Sequence, residues 1–342
     1  MNNQSILITG GAGFIGVNST AYFAEQGWNV SVLDNLSRPG SAENLNWLNE
    51  NHTINFNQSD IRDPEAVEQC IKSTNPDVVL HLAGQVAVTT SVLDPRADFE
   101  INALGTLNTL EAIRKHAAET FFINASTNKV YGRMEHLKIV DQGDRYGYES
   151  LPGGVSESQP LEFHSPYGCS KGVADQYTID YARIYGLNTV TLRQSCIYGP
   201  HQMGVEDQGW VAWFIIAALS DKPITIFGDG KQVRDVLHVH DLIDCYQMAI
   251  EHRIQINGQA FNVGGGVDNT LSLLELLALI EQYAGRKPRT IHEDWRPGDQ
   301  PIFVCDLHKV QHTLGWNPRT DTRTGIKSLI DRVLQNSAHV RD

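Results

Sequence analysis

The chain has 342 residues, a formal charge of −13 at pH 7, and 41% hydrophobic against 20% charged residues. This is enough apolar material for a large core without metal or disulfide staples, in one large or two closely joined domains. So acidic a chain repels nucleic acid and anionic membrane on average, so neither is expected as a partner, and an anionic substrate would need a local basic pocket. The cysteines Cys70, Cys169, Cys196, Cys245 and Cys305 are scattered, with no C-x-x-C pair. Neither a metal site nor a disulfide framework is expected, and a reducing cytoplasm is the expected setting. Met1 to Gln4 leads straight into an apolar strand, so no signal peptide is expected, and no apolar run approaches the ~20 residues of a membrane span.

In chain order, short apolar runs alternate with amphipathic stretches. Ile6 to Ile8 predicts a buried strand and Asn18 to Gln26 a helix. Strands are predicted at Val30 to Leu33 and Ile54 to Phe56, then a helix at Pro64 to Ser73. Val78 to Leu82 and Phe121 to Ala125 are further strands, with a long helix at Asn102 to His116 between them, and Val190 to Leu192 continues the series. Strands alternating with helices predict an α/β chain with a doubly wound parallel sheet. After about Tyr198 the alternation loosens. Strands are predicted at Ile224 to Phe227 and Ala260 to Val263, and helices at Leu271 to Ala284 and Leu307 to Leu314. The expected organisation is a nucleotide-binding domain over residues 1–198 and, over 199–342, a smaller C-terminal substrate-binding lobe with segments that can return to the first. Gly143 to Gly154, rich in Gly and Tyr, reads as a surface insertion.

Between the first strand and helix lies Thr9-Gly10-Gly11-Ala12-Gly13-Phe14-Ile15-Gly16. Glycines there let the backbone turn tightly and approach a pyrophosphate, which then rests on the helix N-terminus. The second strand ends on an acid, Asp34, and that context strengthens the motif. A carboxylate there bonds ribose hydroxyls and repels a 2′-phosphate, which favours NAD; Arg38, four residues on, leaves NADP open. Asp60 and Ile61, after the third strand, read equally well as an adenine contact or, for Asp60, a helix cap.

Tyr167-Gly168-Cys169-Ser170-Lys171 sets a phenol and an ammonium one helical turn apart on one face. A free phenol has a pKa of about 10, and a neighbouring ammonium or a positive nicotinamide ring would lower it. The pair is therefore a candidate for taking a hydroxyl proton as hydride leaves the same carbon. Ser126-Thr127-Asn128-Lys129-Val130-Tyr131-Gly132 follows a predicted strand at its C-terminal end, where ligands of open parallel sheets bind. Thr127 is the hydroxyl best placed for the substrate oxygen, with a turn cap as the plainer alternative.

With Gly10 to Gly16, Asp34-Asn35, Asn102-Ala103-Leu104-Gly105-Thr106, Ser126-Thr127, Val130-Tyr131-Gly132, Tyr167 to Lys171 and Tyr198-Gly199-Pro200, the chain resembles the NAD-dependent sugar epimerase/dehydratase family over nearly its whole length. The resemblance implies a Rossmann-type domain and a catalytic triad of Thr127, Tyr167 and Lys171. It implies NAD held by Gly10, Gly13, Phe14, Ile15, Gly16, Asp34, Asn35, Asp60, Ile61, Leu82, Ala83 and Lys171. It implies a nucleotide sugar held by Thr127, His164, Tyr167, Gln208, Arg234 and Arg296, the two arginines on the diphosphate. In dehydratases of the family an Asp-Glu pair follows the catalytic Ser or Thr; here Asn128 and Lys129 stand there, so epimerisation is expected and water elimination is not.

Three runs, Ser126 to Gly132, Phe163 to Gly172 and Asp207 to Val211, resemble a subgroup that inverts C2 of CDP-linked 3,6-dideoxyhexoses, which implies a CDP-sugar substrate. Cys196 where the family often has Asn, and an insertion over Glu135 to Gly154, fit that subgroup. Trp210 and Trp213 are candidates for stacking on the base, or else core aromatics. The alternatives are a UDP-hexose 4-epimerase, or a non-catalytic NAD-sensing protein on the same fold. The helices over Asn102 to His116 and Lys171 to Tyr185 resemble those that pair in family dimers, so a homodimer or homotetramer is expected.

Overall fold

The computed structural model describes residues 4–206, 208–296 and 299–339; Asp207, in one of the motifs above, and Pro297 and Gly298 beside Arg296 lie outside the described residues. Seven strands form the central sheet: β1 (Ser5–Thr9), β2 (Asn29–Asp34), β3 (Asn55–Gln58), β4 (Val78–His81), β5 (Phe121–Thr127), β6 (Asn188–Gln194) and β7 (Gln259–Val263). Their order is β7-β6-β5-β4-β1-β2-β3, and every pair is parallel. This is a Rossmann-type sheet, and its order reverses between β1 and β4, where a ligand crevice opens beyond the strands' C-terminal ends.

The apolar runs follow from that position. Helices cover both faces, so consecutive residues of the inner strands are buried, whereas the edge strand β3 has no buried residue. Ile6 and Ile8 pack on one side with Phe121 and Ile123, while Leu7 packs on the other with Val79 and Phe122. The first helix, Phe14–Glu25, starts four residues earlier than the sequence suggested. Its N-cap is Gly13, so the glycine turn itself ends in the helix. The long helix is likewise split: a π-turn, Glu100–Leu104, leads into Gly105–His116. Asn102 is buried in that turn, and its amide donates to Ser170 and Asp98.

The second lobe is built on the strand Val233–His238. It pairs in parallel with Cys196–Tyr198 and Ile302–Phe303 and antiparallel with Thr270–Ser272. Beside it, Ile224–Phe227 pairs with Thr290–Glu293. An almost wholly apolar helix, Trp210–Leu219, fills this lobe through Phe214 and Ile215 against Leu276, Ile280, Ile326 and Ile330. The insertion over Gly143 to Gly154 includes one strand of a hairpin, Ile139–Asp141 with Tyr146–Tyr148, that is pinned to this lobe. Arg145 pairs with Glu275 at 3.0 Å, Lys231 with Asp141 at 2.7 Å, and Tyr146 donates to Asp229. Among the described residues no helix is long and apolar enough to cross a membrane.

Beneath the crevice lies a buried ion pair. Asp175 is 0% exposed and Arg193 5%. The guanidinium donates through Nε (3.0 Å) and Nη2 (2.9 Å), and Ser126 donates to the same carboxylate at 2.7 Å. Arg193 also donates to the Tyr131 hydroxyl, which donates to Asn262. The network links β5, β6, β7 and the helix Ser165–Tyr185. Removing one member leaves a buried charge uncompensated. Asp175→Asn is expected to destabilise the fold by about 3–5 kcal/mol in urea denaturation; a loss under about 1 kcal/mol would contradict this role.

Candidate active site

The loop from β1 into the first helix leaves no room for a side chain at Gly10 or Gly16. A Cβ on Gly16 would lie 2.1 Å from the Gly10 carbonyl oxygen, and one on Gly10, whose φ is +70°, would lie 2.7 Å from the Ala83 nitrogen. No side chain caps Gly13, so first-turn N–H groups face the crevice. Such an end receives an anion. At the tip of β2 the Asp34 carboxylate accepts from the Ala12 and Leu36 amides at 3.1 and 2.8 Å. A cleft of about 730 Å³ runs from here across the sheet ends. Gly10, Gly13, Phe14, Ile15, Gly16, Asp34, Asn35, Asp60, Ile61, Leu82, Ala83 and Lys171 all line it. Glycine cradle, helix end and ribose-facing acid together fit NAD.

Asp60 does not cap the next helix. That role belongs to Asp63, which accepts from the Glu65 and Ala66 amides. Asp60 is gripped by Arg62 and accepts from Asn35, which holds its pKa down at about 2. It therefore stays charged on the cleft wall.

Thr127, Tyr167 and Lys171 converge at the far end of the same cleft. β5 ends on Thr127, and Tyr167 and Lys171 project from the first turns of the helix Ser165–Tyr185. The Thr127 hydroxyl donates to the Asn128 side chain and accepts from the Lys129 amide, each at 3.3 Å, and lies close enough to the Tyr167 phenol to act on its proton. Burial pushes the Tyr167 pKa up to about 12, opposed by the Thr127 hydrogen bond; Asp98 adds to the rise, while the Arg38 cation opposes it. Lys171 donates to the Ala125 carbonyl at 2.6 Å, and burial lowers its pKa to about 8. Behind it His81 is locked between Thr9 and Thr106, its pKa driven down to about 3 by burial and by the Lys171 cation. His81 is thus a neutral packing group, not a proton donor.

The expected substrate contacts divide. Gln208 lines the cleft and accepts from Arg38 across its mouth; Trp210 and Cys196 line it too. Trp213 packs in the second lobe's core instead. His164 is exposed at the N-cap of the Tyr167 helix and is not part of the cleft wall. Arg234 is not on that wall either: its guanidinium donates to the Val233 and Gln300 carbonyls at 2.7 and 2.6 Å. Arg296 lies 3.6 Å over the Phe227 ring and borders a second cleft of about 340 Å³, with Arg133, Tyr148 and Asp299. Arg38 is the cleft residue that sequence reasoning weighed only for a phosphate on the ribose. Its role in bridging the two lobes depends on Gln208, which is 170 residues away.

A family model described as GDP-mannose 4,6 dehydratase matches residues 7–329. The chain is 47% identical to CDP-paratose 2-epimerase of Salmonella typhi over 333 residues, 96% of this chain and 98% of that protein. Among solved structures, UDP-glucose 4-epimerase of Thermotoga maritima with UDP-glucose superposes with a TM-score of 0.84 at 31% identity, covering 98% of this chain and 100% of that one. UDP-glucose 4-epimerase of Thermus thermophilus in complex with NAD gives a TM-score of 0.82 at 32% identity, covering 97% and 99%.

Because burial raises the Tyr167 pKa, the protonated phenol is the stable form throughout the neutral range, and the phenolate gains population only as pH rises. Turnover is expected to climb with pH on the acid side. Tyr167→Phe is expected to lower kcat by ~10²-fold or more and to remove that limb while nucleotide binding persists. A Phe variant with near-normal kcat and an unchanged pH profile would show that another group moves the proton.

Proposed function

The chain belongs to this family of NAD-dependent nucleotide-sugar epimerases and dehydratases, and we propose that it inverts C2 of a CDP-linked 3,6-dideoxyhexose, interconverting CDP-paratose and CDP-tyvelose, as a homodimer or homotetramer. NAD is its cofactor. The observation that carries the epimerase reading is the cleft's far end. There a Thr-Tyr-Lys constellation is complete, and the two residues after Thr127 are Asn128 and Lys129. An amide cannot protonate a leaving hydroxyl, and a lysine is not a carboxylate base. Proton removal and return at one carbon are therefore provided for, and loss of water from its neighbours is not. The choice of C2 and of cytidine is supported by the 47% identity to CDP-paratose 2-epimerase.

When bound, NAD supplies the capacity to take a hydride from the sugar and return it, and its oxidised ring places a positive charge beside the phenol. Tyr167 takes the hydroxyl proton of the reacting carbon and later gives one back. Thr127 holds that oxygen and stabilises the phenolate through its own hydroxyl. Lys171, fixed by the Ala125 carbonyl, holds its ammonium at the catalytic end, one helical turn from Tyr167, where it would meet the nicotinamide ribose. Inversion requires the oxidised sugar to turn within the cleft while its nucleotide stays held. Exposed Leu93, Phe99, Tyr177, Ile184 and Tyr185 offer an apolar surface for a second copy.

Incubation of the NAD-loaded protein with CDP-paratose is expected to give a mixture with CDP-tyvelose of unchanged mass and no net redox change. A 6-hydroxylated nucleotide sugar is expected to yield no product lighter by one water. Release of a dehydrated sugar would overturn the epimerase reading, and sedimentation as a monomer alone would remove the oligomer from it.

A further inference from the structure

Between β4 and the π-turn Glu100–Leu104 the chain makes an excursion that packs against the catalytic helix Ser165–Tyr185. Two of its side chains hold the turn that carries Tyr167 and Lys171. Ser91, in the short helix Val88–Leu93, accepts from the Tyr167 amide at 3.1 Å. Asp98, in Pro95–Phe99, accepts at 2.5 Å from the hydroxyl of Ser170, which precedes Lys171. The same carboxylate accepts from the Gln85 side chain at 2.9 Å and from the Asn102 side chain at 3.1 Å. Gln85 is on the cleft wall, and its backbone N–H donates to the Asn102 side chain at 2.9 Å. A Cβ on Gly84 would lie 3.0 Å from the Asn102 oxygen and 4.0 Å from the Lys171 nitrogen, so the loop, the amide and the ammonium meet at one point. Asp98 is 1% exposed, and its three side-chain partners are neutral donors. A carboxylate taken out of water needs such donors and gains from a nearby cation. Lys171 is that cation: burial lowers its pKa to about 8, and Asp175 and then Asp98 oppose the fall.

The reaction proposed above, on which this inference rests, needs Tyr167 and Lys171 held against the cofactor-side loop while a proton leaves and returns. We propose that Asp98 is a positioning residue for that reaction: its carboxylate locks the Tyr167–Lys171 turn to the Gly84–Gln85 loop and serves as counter-charge to the Lys171 ammonium. Asp175, the other carboxylate acting on Lys171, is matched by Arg193 at 2.9 Å. The remaining groups that face the phenol are Thr127 from β5, Arg38 from the loop after β2 and the Cys196 thiol from the second lobe. His81 faces the ammonium from β4 as a neutral ring. A negative charge behind phenol and ammonium favours the protonated form of both. It keeps Lys171 able to donate, and it reserves the phenolate for the loaded site.

Asp98→Asn keeps an oxygen for the Gln85 and Asn102 amides and removes the charge. With CDP-paratose and the NAD-loaded enzyme, its kcat–pH profile is expected to move to lower pH by about one pH unit, because phenol and ammonium both lose their proton more easily. Ser170→Ala keeps the charge and cuts the tie to the helix. It is expected to lower kcat about tenfold or more with the profile in place. NAD content and Tm establish that the variants are folded; Asp98→Ser replaces Asp98→Asn if the amide costs the fold. A profile that stays in place in Asp98→Asn reduces the residue to packing, and a normal kcat in Ser170→Ala removes the tie; either overturns the assignment. NMR titration of ring-labelled tyrosine in the NAD-loaded protein, with Tyr167→Phe identifying the signal, reads the same downward shift without any sugar. A shifted Tyr167 titration with no turnover of CDP-paratose keeps Asp98 and discards the sugar, whereas an unshifted one overturns the part given to its charge.

Discussion

The ion pair between Arg193 and Asp175 is the constraint on which the catalytic end depends. The carboxylate belongs to the helix that presents Tyr167 and Lys171, one turn beyond the lysine, and it also accepts from Ser126, the neighbour of Thr127. One buried group therefore fixes the distance between the strand that carries the hydroxyl and the helix that carries the phenol and ammonium. The guanidinium continues the linkage through Tyr131 to Asn262 on the edge strand, which the chain adds only after it has entered the second lobe. Both halves of the chain are thus tied to the position of the triad. A well-packed apolar substitute could match the stability, but it could not join four elements at one point.

The electrostatics of the cleft complement this rigidity. Burial drives Tyr167 and Lys171 in opposite directions, the phenol towards holding its proton and the ammonium towards losing one. Neither shift favours proton abstraction in the protein alone. Thr127 and Arg38 oppose the rise at Tyr167, and a positively charged nicotinamide ring adds to them. The reactive state therefore belongs to the loaded site.

The cofactor half was legible in the sequence because its signals are local. Glycine spacing, a strand on one side, a helix on the other and an acid at the next strand end all lie within about 35 residues, and every cofactor residue expected from them lines the cleft. Tyr167 and Lys171 were legible for the same reason, one turn apart on a single helix. The substrate half was not, because its contacts join distant segments. Arg234 matches a motif, yet its guanidinium is held by the Gln300 carbonyl, and His164, adjacent to a clear motif, points out of the cleft. The hairpin within the insertion reads as loose surface in sequence because the partners that pin it, Asp229, Lys231, Thr270 and Glu275, come much later in the chain. Asp60 and Asp63 show the limit at short range. Asp63 stands directly before Pro64 and caps the helix, while Asp60, three residues earlier, accepts from the Arg62 amide and guanidinium instead.

The central claim is that the triad works on the carbon next to the anomeric one. A primary isotope effect reads this directly. Turnover of CDP-paratose deuterated at C2 is compared with turnover of the same sugar deuterated at C4, using the NAD-loaded enzyme under single-turnover conditions. Slower reaction with the C2 label and an unchanged rate with the C4 label is the predicted result. A slowing confined to the C4 label would contradict it and move the reaction across the ring.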